Sequence, residues 1–174
     1  IGTGGGDFYN KMAPLNDSYY LAKDSVFELN SIEDFENASI IKPYDYDNDG
    51  DLDLFVGNRA TSNDFGKIPT SYLLNNDNGI FQKVVNSDLE FSGMITSAIW
   101  DDFDNDGIND LIVVGEWMSP IFYKNKNGKL IKTDVGIQDL NGLWQTIIPF
   151  DIDHDGDKDY LLGNWGINNK FKAS

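Results

Sequence analysis

Three aspartate-rich strings carry the chemistry of this sequence: DYDNDGDLD over 45–53, DFDNDGIND over 102–110 and DIDHDGDKD over 151–159. Each places carboxylates at relative positions 1, 3, 5 and 9 around a glycine at position 6. Hard oxygen donors on a sharply turning loop suit calcium, which accepts about six to eight oxygens at ~2.3–2.6 Å in tolerant geometry. Magnesium insists on a tighter octahedron and keeps its waters. No nitrogen or sulfur stands at a ligand position, which disfavours zinc and copper. The spacing assigns side-chain oxygens to Asp45, Asp47, Asp49 and Asp53, to Asp102, Asp104, Asp106 and Asp110, and to Asp151, Asp153, Asp155 and Asp159. Position 7 supplies a backbone carbonyl, from Asp51, Ile108 or Asp157, so an isoleucine there costs the site nothing. His154 falls between ligands.

An EF-hand opens with the same string but needs a bidentate Glu at position 12, on a helix. Position 12 here is Val56, Val113 or Leu162, so the loops close on strands. Asp, Asn and Gly also make good turns without any metal, but three copies in one register ask for more than a turn. Carboxylates ~5 Å apart repel by about 1 kcal/mol per pair in water, which predicts that an empty loop splays. The loops hold 14 of the 29 acidic residues, and three bound calcium ions would take the net charge from −16 to −10.

Short apolar runs frame each loop. Ile40-Ile41, Ala98-Ile99-Trp100 and Ile147-Ile148-Pro149-Phe150 enter; Leu54 to Gly57, Leu111 to Gly115 and Tyr160 to Gly163 leave, each closing on glycine. Ile1-Gly2 makes a fourth mark, and the glycine spacings are 55, 58 and 48. A second hairpin falls within each period: Tyr19 to Leu29, Tyr72 to Phe81 and Phe122 to Leu130, the last two turning on Asn-Gly pairs that supply positive φ. Four short strands in about 50 residues, without sustained helical periodicity, is the pattern of a propeller blade. The expected fold is all-β: a β-propeller fragment of about three four-stranded blades with periods 2–57, 57–115 and 115–163, and a further blade starting over 164–174. Because propellers close with roughly four to eight blades, the expectation is an incomplete ring. It would be completed by further blades of a parent chain or by self-association through exposed blade faces.

The 174 residues carry 29 Asp and Glu against 13 Lys and Arg, with 40% hydrophobic residues, which describes one folded acidic unit. Such a charge repels phosphate backbones, so nucleic acid is excluded as a partner. No apolar run is long enough for a membrane-crossing helix. The absence of cysteine excludes disulfides and thiol catalysis. No basic and apolar leader opens the sequence, so an export signal is expected to have been removed or to lie upstream.

The D-x-D-x-D-G-x-x-D loops, each followed by a strand and glycine, resemble FG-GAP/VCBS repeats such as those of the integrin α-subunit propeller. Val114-Gly115-Glu116-Trp117-Met118 and the stretch from Gly163 to Phe171 are similar to cartilage-acidic-protein-like (ASPIC/UnbV-associated) proteins of bacterial surfaces. The resemblance implies an exported protein in which calcium braces the blades. The expected function is a non-catalytic extracellular scaffold that binds a protein or glycan. Millimolar calcium outside cells fills moderate-affinity loops, which agrees with an extracellular, cell-surface or periplasmic location.

The alternative is part of a polysaccharide lyase on a calcium-bearing propeller, with Tyr, His or Lys as base. Neutralising a uronate needs cations, and Arg59 and dispersed lysines such as Lys67 are the ones on offer. Arg59, the sole arginine, is expected to pair with a neighbouring carboxylate. Trp100, Trp117, Trp144 and Trp165 are expected to pack between blades, with Trp144 the best exposed candidate for stacking on a sugar. The sequons at Asn16 and Asn37 read as chance matches.

Overall fold

The computed structural model describes residues 16–62, 64, 66–84 and 86–166. The fourth glycine mark at Gly2 and the stretch beyond Gly166 lie outside them. Twelve strands and one four-residue helix, α1 (Ser87–Glu90), make up the described chain, all pairings being antiparallel. A hairpin of β1 (Asp17–Lys23) and β2 (Val26–Ile32) comes first. A four-stranded sheet follows, in the order β3 (Asn37–Tyr44), β4 (Asp53–Ala60), β5 (Tyr72–Asp77), β6 (Ile80–Val84). The second meander runs through β7 (Met94–Asp101), β8 (Asp110–Met118), β9 (Ile121–Asn125) and β10 (Leu130–Thr133). A final pair, β11 (Gly142–Phe150) and β12 (Asp159–Asn164), joins the edge of β8 at Gly142 and Leu143. The all-β propeller fragment expected from the sequence is this stack: an outer hairpin, two complete blades and an inner pair.

The hairpin turns follow from local chemistry. Asn78-Gly79 and Asn127-Gly128 take positive φ at both central positions, as a two-residue turn with the right twist demands. Asp24-Ser25 does the same between β1 and β2 without a glycine, at φ 48° and 68°.

Period-2 alternation places side chains in successive layers between the sheets. Ile41, Val56, Tyr72 and Leu74 face the β1–β2 hairpin. Phe55 and Leu73 meet Ile95, Leu111, Val113 and Tyr123 in the layer between the two complete sheets. Ile112, Val114 and Phe122 then meet Trp144, Ile147 and Leu162. Strand β8 is thus covered on both faces and reads as an unbroken apolar run, Leu111 to Val114, all four fully buried. Each such side chain contributes about 1.5–3 kcal/mol on removal from water.

The repeating glycines have a packing role. A Cβ on Gly57 would lie 2.7 Å from Ile40 Cγ2 and 2.8 Å from Ile95 Cγ2, and one on Gly115 would run into the carbonyl oxygen of Met94. Each glycine pairs with a strand residue beside a β-bulge: Ile40 with Gly57, Ile95 with Gly115, Thr146 with Gly163. The bulged residues are Ser39, Thr96 and Gln145, each six positions before its acidic string. Ser39 Oγ lies 2.5 Å from the carbonyl oxygen of Ile95, and Thr96 Oγ1 lies 2.7 Å from that of Trp144. The bulge therefore aims a hydroxyl at the next blade's first strand.

Trp100 stacks against Tyr44 and Tyr46 between the complete sheets, as expected. Trp144 is a correction: it sits on β11, 9% exposed, with its indole N–H donated to the Leu140 carbonyl, so it offers no face to a sugar. Its position follows from the bulge beside it, which turns the ring into the layer under β8. Trp117 and Trp165 are the half-exposed ones.

Candidate metal centres

Each acidic string is the loop between a sheet's first and second strands, 45–52 after β3, 102–109 after β7 and 151–158 after β11. All three have one backbone trace. Position 4 is left-handed (Asn48, φ 60°; Asn105, 58°; His154, 62°), and the glycine at position 6 follows at 98°, 88° and 94°. Position 4 is thus a conformational site, which suits asparagine.

That trace gathers the carboxylates of positions 1, 3 and 9. Asp45, Asp47 and Asp53 form one group, Asp102, Asp104 and Asp110 the second, Asp151, Asp153 and Asp159 the third; within each, one oxygen per residue lies within 4.8 Å of the others. In the first two loops the position 1 carboxylate accepts from the position 5 and 6 amides: Asp45 from Asp49 and Gly50 at 3.1 Å each, Asp102 from Asp106 and Gly107 at 3.0 and 2.8 Å. Position 9 begins the second strand and is fully buried at Asp53 and Asp110. Asp53 accepts from the amides of Tyr46 (3.1 Å) and Asn76 (2.8 Å), Asp110 from Asn125 (2.7 Å), and Asp159 from Ile152 (2.9 Å).

Position 5 behaves differently. Asp49, Asp106 and Asp155 each turn one oxygen onto the amide of position 7, at 2.9, 3.0 and 2.9 Å, and are not part of the clustered trios. At position 7 the Asp51 side chain accepts from Asn78 at 2.7 Å, tying the loop to the β5–β6 turn.

The asparagines that brace these loops escaped the sequence reading. Asn76 and Asn125 occupy one register on the third strands, and each offers its backbone N–H to the position 9 aspartate and its Oδ1 to the turn glycine. The Asn-x-x-Gly spacing shared by both hairpins was the available signal. Asn75 Nδ2 bonds Asp47 at 2.7 Å, and Lys124, in the same register, bonds Asp104 and lies 2.9 Å from Asp106.

The electrostatics favour a cation. Burial pushes the Asp110 carboxyl up to about 6, outweighing the opposing pull of the Asn125 amide. Asp53 is shifted upward by the same cause. Lys124 lowers Asp106 by hydrogen bonding. Asp151 Oδ1 is buried without a hydrogen-bond partner, and Asp110 is met by the backbone amides of Asn125 and Phe103 and by no cation. Such carboxylates inside an all-oxygen cluster fit a hard cation, and the Lys124 ammonium at the second loop already stands in for one.

Arg59, on β4, pairs with Glu116 on β8, Nη2 to Oε1 at 2.7 Å and Nε to Oε2 at 3.2 Å, as expected for a lone arginine in an acidic chain. Among the described residues no helix is long and apolar enough to cross a membrane.

The FG-GAP-like repeat matches this chain twice, over 45–113 and 102–162, each match opening at position 1 of an acidic loop. It reaches the repeat family and does not extend to the narrower kinship with cartilage-acidic-protein-like proteins. No curated protein matches the chain.

Proposed function

From the premise that the chain belongs to the FG-GAP-like repeat family, we propose that it is a calcium-braced extracellular scaffold that binds a protein or glycan and catalyses nothing. The observation that carries this reading is the threefold repetition of one carboxylate trio at positions 1, 3 and 9, on loops with one backbone trace. Those residues hold the ion, joined by the second oxygen of Asp49, Asp106 or Asp155 and the carbonyl of Asp51, Ile108 or Asp157. Bound calcium supplies positive charge that offsets the crowded carboxylates. The protein's own part is to fix the oxygens: position 1 by the turn amides, position 9 by the third strand.

The load is structural. Each loop joins two strands of one blade, so a filled loop stabilises the native state by mass action. Calcium suits the donor set and is abundant outside cells, which supports export. The bidentate pairing of Arg59 with Glu116 removes the cation that a uronate-cleaving site would require first, which favours the scaffold over the lyase. Thermal unfolding tests the reading: two millimolar-range conditions, calcium and EDTA, should differ in Tm by at least about 5 °C, with magnesium giving much less. Equal Tm in calcium and EDTA would overturn it.

A further inference from the structure

Asp53 and Asp110, the fully buried carboxylates at position 9 of the first two loops, are joined by an unbroken hydrogen-bonded chain. Tyr46 donates its N–H to Asp53 Oδ2 at 3.1 Å, and its carbonyl accepts from Asn125 Nδ2 at 2.8 Å. Asn125 in turn donates its N–H to Asp110 Oδ1 at 2.7 Å. We propose that the three loops fill cooperatively, a cation in one raising the affinity of its neighbour, with the second loop as the hub; this rests on the reading of the loops as calcium sites.

The chain ties the closure of one loop to the bracing of the next. Tyr46 is position 2 of the first loop, flanked by the trio members Asp45 and Asp47. Asn125 is the third-strand brace of the second loop, and its Oδ1 holds the amide of Gly128 at 3.0 Å. That turn also lies directly against the first loop: a Cβ on Gly128 would stand 2.9 Å from Asp47 Cβ and 3.3 Å from its Cα. Repelling carboxylates drive an empty loop open. Opening the first loop draws Tyr46 away from Asn125 and Asp47 away from Gly128, which loosens the strand that fixes Asp110. A cation that closes the first loop therefore fixes the brace of the second, so the next ion orders less of the protein and binds more tightly.

The second and third loops are linked by different residues. Asp101 immediately precedes position 1 of the second loop and pairs with Asp110 across β7 and β8. It is 8% exposed and accepts from Lys158 Nζ and Tyr160 Oη, at 2.9 Å each. Lys158 and Tyr160 flank Asp159, position 9 of the third loop. An aromatic path runs beside this one: Phe103, position 2 of the second loop, meets Phe122 edge to face, and Phe122 meets Tyr160, with centroids 5.1 and 5.8 Å apart. The second loop is the one that both links reach. It also carries the Lys124 ammonium, which an incoming cation must displace, so it fills last and its affinity reads out both neighbours.

Amide NMR of Gly50, Gly107 and Gly156, the position 6 glycines, follows each loop separately through a calcium titration. Asp45→Asn with Asp47→Asn in one chain removes two crowded charges of the first trio and leaves the four residues of the hydrogen-bonded chain in place. Gly50 should then stop responding, and the calcium midpoint at Gly107 should rise at least about fivefold. With Asn125→Ala in the background, the same pair of substitutions should move Gly107 less than about twofold. Asp151→Asn with Asp153→Asn in the third loop should also raise the Gly107 midpoint, and Lys158→Met should remove that effect. A Gly107 midpoint that ignores both neighbours, or a shift that survives Asn125→Ala and Lys158→Met as a through-space field would, overturns the coupling and leaves the calcium scaffold standing. Three glycine amides that do not respond to calcium at all overturn both.

Discussion

Asn125 donates its backbone N–H to Asp110 Oδ1 at 2.7 Å, fastening the third strand of a blade to the buried carboxylate that closes the acidic loop. The same residue donates its side-chain amide to the Tyr46 carbonyl, 2.8 Å away in the preceding blade's loop. Two acidic loops on successive blades are therefore joined through one buried asparagine. Asn125→Ala keeps the first bond and deletes the second, together with the acceptor for the Gly128 amide. The expected cost is about 1–3 kcal/mol, read as a Tm lower by roughly 2–10 °C in calcium. An unchanged Tm would show that the loops are not coupled this way.

Asp110→Asn separates the charge from the shape. The amide retains an acceptor for Asn125 and removes a buried charge that no cation of the protein pairs. In EDTA the variant should be at least as stable as the parent, because no unpaired charge is buried. In calcium it should lose most of the increment from the second loop. Calorimetric unfolding under both conditions checks the crossing of the two effects.

The pH dependence should reverse with metal. An unfolded aspartate titrates near ~4, whereas the folded Asp110 carboxyl is pushed up to about 6. Between those values the metal-free folded state binds more protons, so this group's contribution to stability falls as pH rises through the window. With calcium bound the carboxylate must be ionised, and acidification releases the ion and lowers stability. Urea midpoints at pH 4.5 and 7, compared between the parent and Asp110→Asn, should move in opposite directions in EDTA and in calcium.

Lys124 makes the second loop unlike the first. Its ammonium bonds Asp104 and Asp106, where the first loop has the neutral Asn75. An incoming cation competes with that ammonium. Lys124→Asn should tighten calcium binding at this loop by between about twofold and tenfold, the worth of partly exposed ion pairs. An NMR titration following the Gly107 amide reports it; weaker binding would mean that Lys124 assists the site.

The repeating acidic strings made the fold class and the loop positions legible, because ligand spacing and turn-forming glycines leave local marks. Asp45, Asp47 and Asp53 stand out without coordinates for that reason. What stayed hidden is long-range: Asn125 looks like an ordinary turn residue until β9 is laid beside Asp110, and Ser39 and Thr96 show their purpose only when a bulge aims them at the next blade. Trp144 misled because Asn141-Gly142 reads as a turn, whereas Gly142 already pairs with Met118 as the start of a strand.

Calcium held by the three aspartate trios is the central claim. Crystals grown in millimolar calcium and measured at a long X-ray wavelength should show an anomalous peak in each loop, enclosed by positions 1, 3 and 9 and reached by the carbonyl of position 7. Three folded loops without anomalous density under those conditions would contradict it.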